Sequence, residues 1–120
     1  MTHNPYKRGR YRRALLRQLY DAQGRVCPAC GVRMPPWGEP ALQQDLPSLD
    51  HVVPRVRGGG NHAGNMLAMH VRCNSAKGDR LPTGCELIWH EMVLSKLELS
   101  RADYIAEPYR APMLGDLWPV

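Results

Sequence analysis

The sequence predicts an α+β domain, and three patterns carry that prediction. Amphipathic helical stretches lie toward both ends of the chain. A short stretch of strand composition, SLDHVVPRV, lies between them. Two ligand pairs of matching spacing, Cys27-x-x-Cys30 and His70-x-x-Cys73, flank that stretch. The chain has 120 residues, the size of one domain. Gly and Pro number 11 each and Phe is absent, so the chain is loop-rich and Leu, Val, Met, Trp and Tyr must supply the core. A domain of this length buries only about two-thirds of its unfolded surface, which makes an added staple valuable. No apolar run approaches the roughly 18–20 residues of a membrane span. The start, MTHNPYKRGRYRR, lacks the apolar stretch of a secretory signal. A membrane protein, a collagen, a coiled coil and a large enzyme are excluded, and a cytoplasmic location is expected.

Residues 8–22 read as a helix, with Tyr11, Leu15, Leu16, Leu19 and Tyr20 as the apolar stripe, arginines opposite, and Gly24 at its end. Residues 25–34 place Cys27 and Cys30 in a tight knuckle. Prolines and a glycine in PPWGEPALQQDLP make 35–47 a loop. Residues 48–56 read as a strand that Pro54 keeps at an edge or ends. Gly58, Gly59, Gly60 and Asn61 form a turn. Within 65–78, Met66, Leu67 and Met69 precede a helix that Gly78 stops. Residues 85–99 form a second amphipathic helix with Leu87, Ile88, Val93, Leu94 and Leu97 as core candidates, and the last twenty residues read as an extended tail. The expected organisation is a basic N-terminal helix (1–24), a core (25–80) and a C-terminal helix with a Pro-rich tail (81–120), one domain overall.

Charge is unevenly spread. Residues 1–80 carry 13 Lys and Arg against 5 Asp and Glu, whereas residues 81–120 carry 3 against 6. Lys7, Arg8, Arg10, Arg12, Arg13 and Arg17 all precede the first acid. Such a block is a footprint for a polyanion such as nucleic acid, or equally a solvated tail that aids solubility. Its position puts a nucleic acid along the first two-thirds of the chain.

Four cysteines without a secretory signal suit a reduced compartment, where metal ligation is commoner than disulfides. Structural zinc takes four soft or borderline ligands, usually in two short pairs. Cys27, Cys30, His70 and Cys73 form such a set, and Cys85 is the other candidate for the fourth place or a packing residue. Between the pairs, Asp50 and His51 adjoin on the strand-like stretch. His51 suits a general base, since an imidazole near neutral pKa takes a proton from water. Asp50 is a hard oxygen donor suited to Mg²⁺ or Mn²⁺. Asn65 and Asn74 complete the polar set, with turn and cap chemistry as their alternative. Trp37 and Trp89 are expected to pack, His62 to lie at the surface, and His90 to be incidental.

Taken in order, several elements resemble the HNH endonuclease family, also called ββα-metal nucleases. They are the C-x-x-C-G from Cys27, Asp50-His51 with Pro54 after two intervening residues, the paired glycines, Asn65 fourteen positions after His51, and Cys73-Asn74-x-x-Lys77-Gly78. The resemblance covers roughly residues 10–80. It implies a ββα-metal (His-Me finger) core with a structural zinc knuckle, flanked by the N- and C-terminal helices. It implies that His51 is the general base and that Asn65 holds the turn and the His-bearing strand. It also implies that Asp50 and Asn74 ligate one catalytic Mg²⁺ or Mn²⁺, and that Cys27, Cys30, His70 and Cys73 hold structural Zn²⁺. Many members have Cys where this chain has His70, an exchange zinc accepts.

The activity so implied is hydrolysis of DNA phosphodiester bonds, as a nick or a double-strand break. Arg55, Arg57, Arg72, Lys77 and Arg80, with Arg10 and Arg13 of the first helix, are placed to meet phosphates, although each alone is equally a solvated charge. Two other classes remain open. One is a zinc-stabilised nucleic-acid-binding module, which has no need of Asp50, His51 and Asn74 together. The other is a subunit of a phage or mobile-element DNA-processing complex, docked to a protein partner through the tail. A monomer and a homodimer both fit.

Overall fold

Helix α1 (Pro5–Ala22) lays Leu15, Leu19 and Tyr20 into the core and leaves Arg10, Arg13 and Arg17 exposed on its other sides. The computed structural model describes residues 5–99, with side chains from residue 9 onward. The tail over 100–120, with the protein partner expected there, and the side chains of Lys7 and Arg8 lie outside the described residues. Tyr11 departs from the helical stripe that predicts its burial. It is 61% exposed and borders a cleft with Leu49 and Asn61 instead of packing beneath the sheet.

After α1 the chain reverses through Gly24 and Arg25, whose φ angles of 58° and 68° lie in the left-handed region. Arg25 holds that conformation because its guanidinium donates twice to the Met34 carbonyl, at 3.0 and 3.2 Å. The knuckle follows. Val26 bridges Arg33, Cys27 N–H donates to Val32 O, and Gly31 N–H donates to Cys27 O.

Strands β1 (Pro47–His51) and β2 (Met66–His70) form an antiparallel pair in which Asp50 faces Leu67 and His51 faces Met66. Helix α2 (Val71–Lys77) begins directly after β2. Met66, Leu67 and Met69 therefore belong to a strand and not merely to the approach to a helix. Every residue of β2 is buried, so its apolar run shows no period-two alternation that would reveal a strand in sequence. The free edge of β2 is closed by a side chain. Gln23, 2% exposed, donates from Nε2 to Ala68 O and accepts Ala68 N–H at Oε1, both at 2.8 Å. It thereby replaces a third strand over one residue.

Helix α3 (Gly84–Lys96) starts at a capping box, in which Thr83 Oγ1 accepts Glu86 N–H and Glu86 Oε1 accepts Thr83 N–H. It buries Leu87, Val93 and Leu94. Ile88 is 70% exposed because it follows Leu87 by one position and points about a quarter-turn away. Cys85 is exposed too, so it is no packing residue. His90, expected to be incidental, is buried, and its Nε2 donates to Gly64 O at 2.7 Å, tying α3 to the turn before Asn65. One apolar cluster joins residues of α1, the knuckle, both strands and α3. The architecture is a small α+β fold of a two-stranded antiparallel sheet and three helices. Among the described residues, no helix is long and apolar enough to cross a membrane.

Gln23→Ala is expected to lower the unfolding free energy by about 2–3 kcal/mol, because both polar groups of buried Ala68 lose their partner. A urea titration of the two proteins measures the difference, and equal midpoints would show that the edge needs no closure.

Candidate functional site

Two polar centres sit on opposite ends of the β2–α2 junction. In the first, the knuckle supplies Cys27 and Cys30, the last residue of β2 supplies His70, and the first turn of α2 supplies Cys73. Their ligand atoms all lie within 4.8 Å of one another. Cys30 Sγ and Cys73 Sγ stand 3.5 and 3.9 Å from His70 Nδ1. Tetrahedral zinc, with bonds of ~2.3 Å to sulfur and ~2.0 Å to nitrogen, sets sulfur and nitrogen about 3.5 Å apart. The donor set and its size are therefore compatible with a zinc site. A hydrogen bond with the Arg33 backbone engages the His70 ring as well, and such a bond orients a ligating imidazole. Burial and the neighbouring sulfurs push the Cys73 thiol up to about 12, and a cation among these sulfurs would favour its thiolate. Cys85 lies outside the group; His70 completes it.

The second centre is an open cleft bordered by Asp50, His51, Arg55, Asn74 and Asp79. His51 is the last residue of β1. Its Nε2 lies 3.0 Å from Asn61 Oδ1. An amide oxygen only accepts, so Nε2 carries the proton and Nδ1 holds the free lone pair. Burial depresses the His51 pKa below its usual 6.5; the Asn61 bond raises it in part, and the charges of Arg55, Arg12 and Lys77 lower it further. The neutral imidazole is thus the stable form at neutral pH.

Asn65 and Gly59 set the loop that follows His51. Asn65, fully buried, accepts Val53 N–H at Oδ1 and donates from Nδ2 to Val53 O and Gly60 O. Gly59 packs so tightly that a Cβ there would stand 1.8 Å from Val53 O. Only glycine fits.

Asp50 and Asn74 both border the cleft, on β1 and α2. Asn74 Nδ2 donates to Leu49 O at 2.9 Å and Ser48 Oγ at 3.1 Å, which leaves Oδ1 as its ligand-capable atom. Asp50 is 4% exposed and paired with Lys77, whose Nζ reaches both carboxylate oxygens at 3.0 Å, Val52 O at 3.0 Å and His51 O at 2.6 Å. Burial raises the Asp50 carboxyl to about 6, with Lys77 drawing it back down. Each carboxylate oxygen has two lone pairs, so the pairing with Lys77 leaves room for a cation.

The basic residues separate into distinct groups. Lys77, expected against phosphate, is buried beneath the cleft with its ammonium taken by β1; it follows Asn74 by three positions and shares its helix face. Arg80 is likewise engaged, in a two-pronged pair with Glu86 at 3.0 and 3.1 Å. Arg72 pairs with Asp45. Arg13 lies over the Trp37 ring at 5.1 Å, together with Arg17 at 5.0 Å. Arg57 donates to Asp79 O. Arg55 borders the cleft and Arg10 is exposed. Asn61, which orients His51, reads in sequence only as a turn residue, and Gln23 as one of several polar residues near a helix end.

Lys77→Met is expected to cost about 3–5 kcal/mol of stability, because it leaves a buried carboxylate without a partner. The double variant Lys77→Met/Asp50→Leu should regain much of that loss. Chemical denaturation of the three proteins decides it; a Lys77→Met variant as stable as the wild type would remove the pair from the architecture.

Residues 38–80 match the model of the family described as HNH endonuclease. No curated protein matches the chain. The matched residues hold both strands, the whole cleft, α2 and the second ligand pair, while Cys27 and Cys30 lie before them. This stretch, residues 38–80, is similar in sequence to HNH endonuclease domains, and it is set in an α+β fold with a zinc-compatible cluster at its side.

Proposed function

We propose that the protein is a divalent-metal-dependent endonuclease that hydrolyses phosphodiester bonds of DNA. One observation carries this reading: the imidazole of His51, anchored through Nε2 to Asn61 with Nδ1 free, opens on the same cleft as Asp50 and Asn74. His51 Nδ1 takes the proton of the attacking water. Asp50 and Asn74 Oδ1 hold one Mg²⁺ or Mn²⁺, whose chemistry is Lewis-acid stabilisation of the phosphate and the leaving 3′-oxygen. Arg55, on the cleft's rim, meets the phosphate. Asn65 and Gly59 fix the loop behind the base, and Lys77 holds the Asp50 carboxylate in place. Because Asp50 faces an ammonium on one side, it attracts a cation less strongly than an unpaired carboxylate would. The Cys27, Cys30, His70 and Cys73 group holds a structural Zn²⁺, four ligands being a closed shell with no place for substrate.

Purified protein with supercoiled plasmid and Mg²⁺ or Mn²⁺ should give nicked circles, and His51→Ala should lose at least about a hundredfold in rate. Below about pH 6 the rate should fall. The Asp50 carboxyl, raised to about 6 by burial, becomes protonated there and loses its hold on a cation, whereas the depressed His51 pKa keeps the base neutral at neutral pH. DNA binding without nicking would instead indicate a binding module, and nicking that survives His51→Ala would overturn the assignment of the base.

Elemental analysis should find one zinc per chain. Chelation should unfold the knuckle, seen as a lower melting temperature and four titratable donors released. His70→Ala protein that keeps its zinc and its stability would remove His70 from the site.

A further inference from the structure

We infer that the groove between α1 and the turn at Asn61–His62 is a second substrate subsite, which takes the sugar–phosphate unit of the DNA strand next to the scissile one. This inference rests on the nuclease reading and deepens it by giving α1 a substrate-positioning role. The groove is a small cleft of about 60 Å³. Its rim is polar, with Tyr11 and Arg12 from α1 and Asn61 and His62 from the turn, and its floor is apolar, with Leu49 and Met66 among its residues. A phosphate suits that rim and a deoxyribose face suits that floor.

The groove continues directly from the base. Leu49 and His51 are two apart on β1 and so share a face. Asn61, bonded to His51, also lines the groove. A strand whose scissile phosphate lies in the Asp50–Asn74 cleft would pass over His51 into it.

Arg12 supplies the second, independent observation. Unlike Arg10, Arg13 and Arg17 it is half-buried. Arg17, Arg72, Lys77 and Arg80 each have a carboxylate partner, and Arg12 has none among the described residues. Its charge is nonetheless felt at His51. A partly desolvated guanidinium with no carboxylate partner among the described residues is suited to receive an anion, and a phosphate oxygen is the anion a nuclease cleft would bring. Tyr11 stands at the same rim, exposed although it continues the apolar stripe of α1, where its ring can cover the sugar.

Binding can be read without turnover. The full chain carrying His51→Ala is titrated with a fluorescently labelled DNA duplex, followed by anisotropy at several salt concentrations. Adding Arg12→Ala should weaken binding about tenfold and make the salt dependence shallower by about one unit of slope. Arg12→Lys should recover part of the affinity, since it restores the charge without the planar fork, and Tyr11→Ala should weaken binding about threefold. In the nicking assay, Arg12→Ala in the otherwise wild-type chain should raise KM and leave kcat near its wild-type value. Thermal melts accompany each variant; if Arg12→Ala melts lower, Arg12→Gln takes its place in the comparison. Unchanged affinity and salt slope on removal of Arg12, or a parent that binds no DNA, would overturn the subsite. The two readings fail separately: nicking with no Arg12 effect overturns the subsite alone, and Arg12-dependent binding without nicking by the wild type overturns the nuclease reading alone.

Discussion

Lys77 reaches four oxygens of β1 and the residue after it, two on the Asp50 carboxylate and two on the His51 and Val52 carbonyls. A buried ammonium is tolerated only when acceptors surround it, so this contact constrains everything near it. It sets the distance of α2 from β1, which places Asn74 against Leu49 and Ser48. It also holds the backbone on either side of the His51–Val52 peptide, so the imidazole leaves the strand in one direction. Asn65 does for the following loop what Lys77 does for the strand, closing three hydrogen bonds on Val53 and Gly60. The cleft is thus built from beneath by two buried polar side chains, and its exposed groups are free for chemistry.

The Cys/His cluster works on the other end of the same junction. It brings the turn after α1 to the point where β2 becomes α2. Gln23 runs parallel to it, bonding both Ala68 of β2 and Val26 of the knuckle. A two-stranded sheet is marginal alone, and here one edge is closed by a glutamine while the end of β2 at His70 meets the three cysteines of a metal-compatible cluster. A small core without Phe is supported by local polar ties at the places where a larger domain would add strands.

Electrostatics show how little a charge count says about a binding surface. The chain carries 16 Lys and Arg, yet Lys77 and Arg80 stabilise the fold, Arg72 pairs with Asp45, and Arg13 and Arg17 lie over Trp37. Among the described Lys and Arg residues, Arg55 borders the cleft and Arg12 the groove beside it. Both act on the His51 imidazole through their charge.

Much of this was legible in the sequence. The helical stripe of α1, the ligand pairs, the Asp50–His51 strand and the glycine-rich turn are local patterns, each determined by residues a few positions apart, and local spacing is what periodicity and motif read. The sequence did not distinguish β2 from the approach to a helix, because a strand buried on both faces loses its alternation. It did not separate Lys77 from a surface lysine, Arg12 from its neighbours on α1, or Cys85 from the cluster's fourth place. Those distinctions depend on which distant groups share a volume: an ammonium is structural when four oxygens surround it and functional when none does. Residue type and spacing therefore determined the chemistry the chain can offer. The tertiary structure decided which copies of each residue offer it, because burial and partnership are properties of position and not of composition.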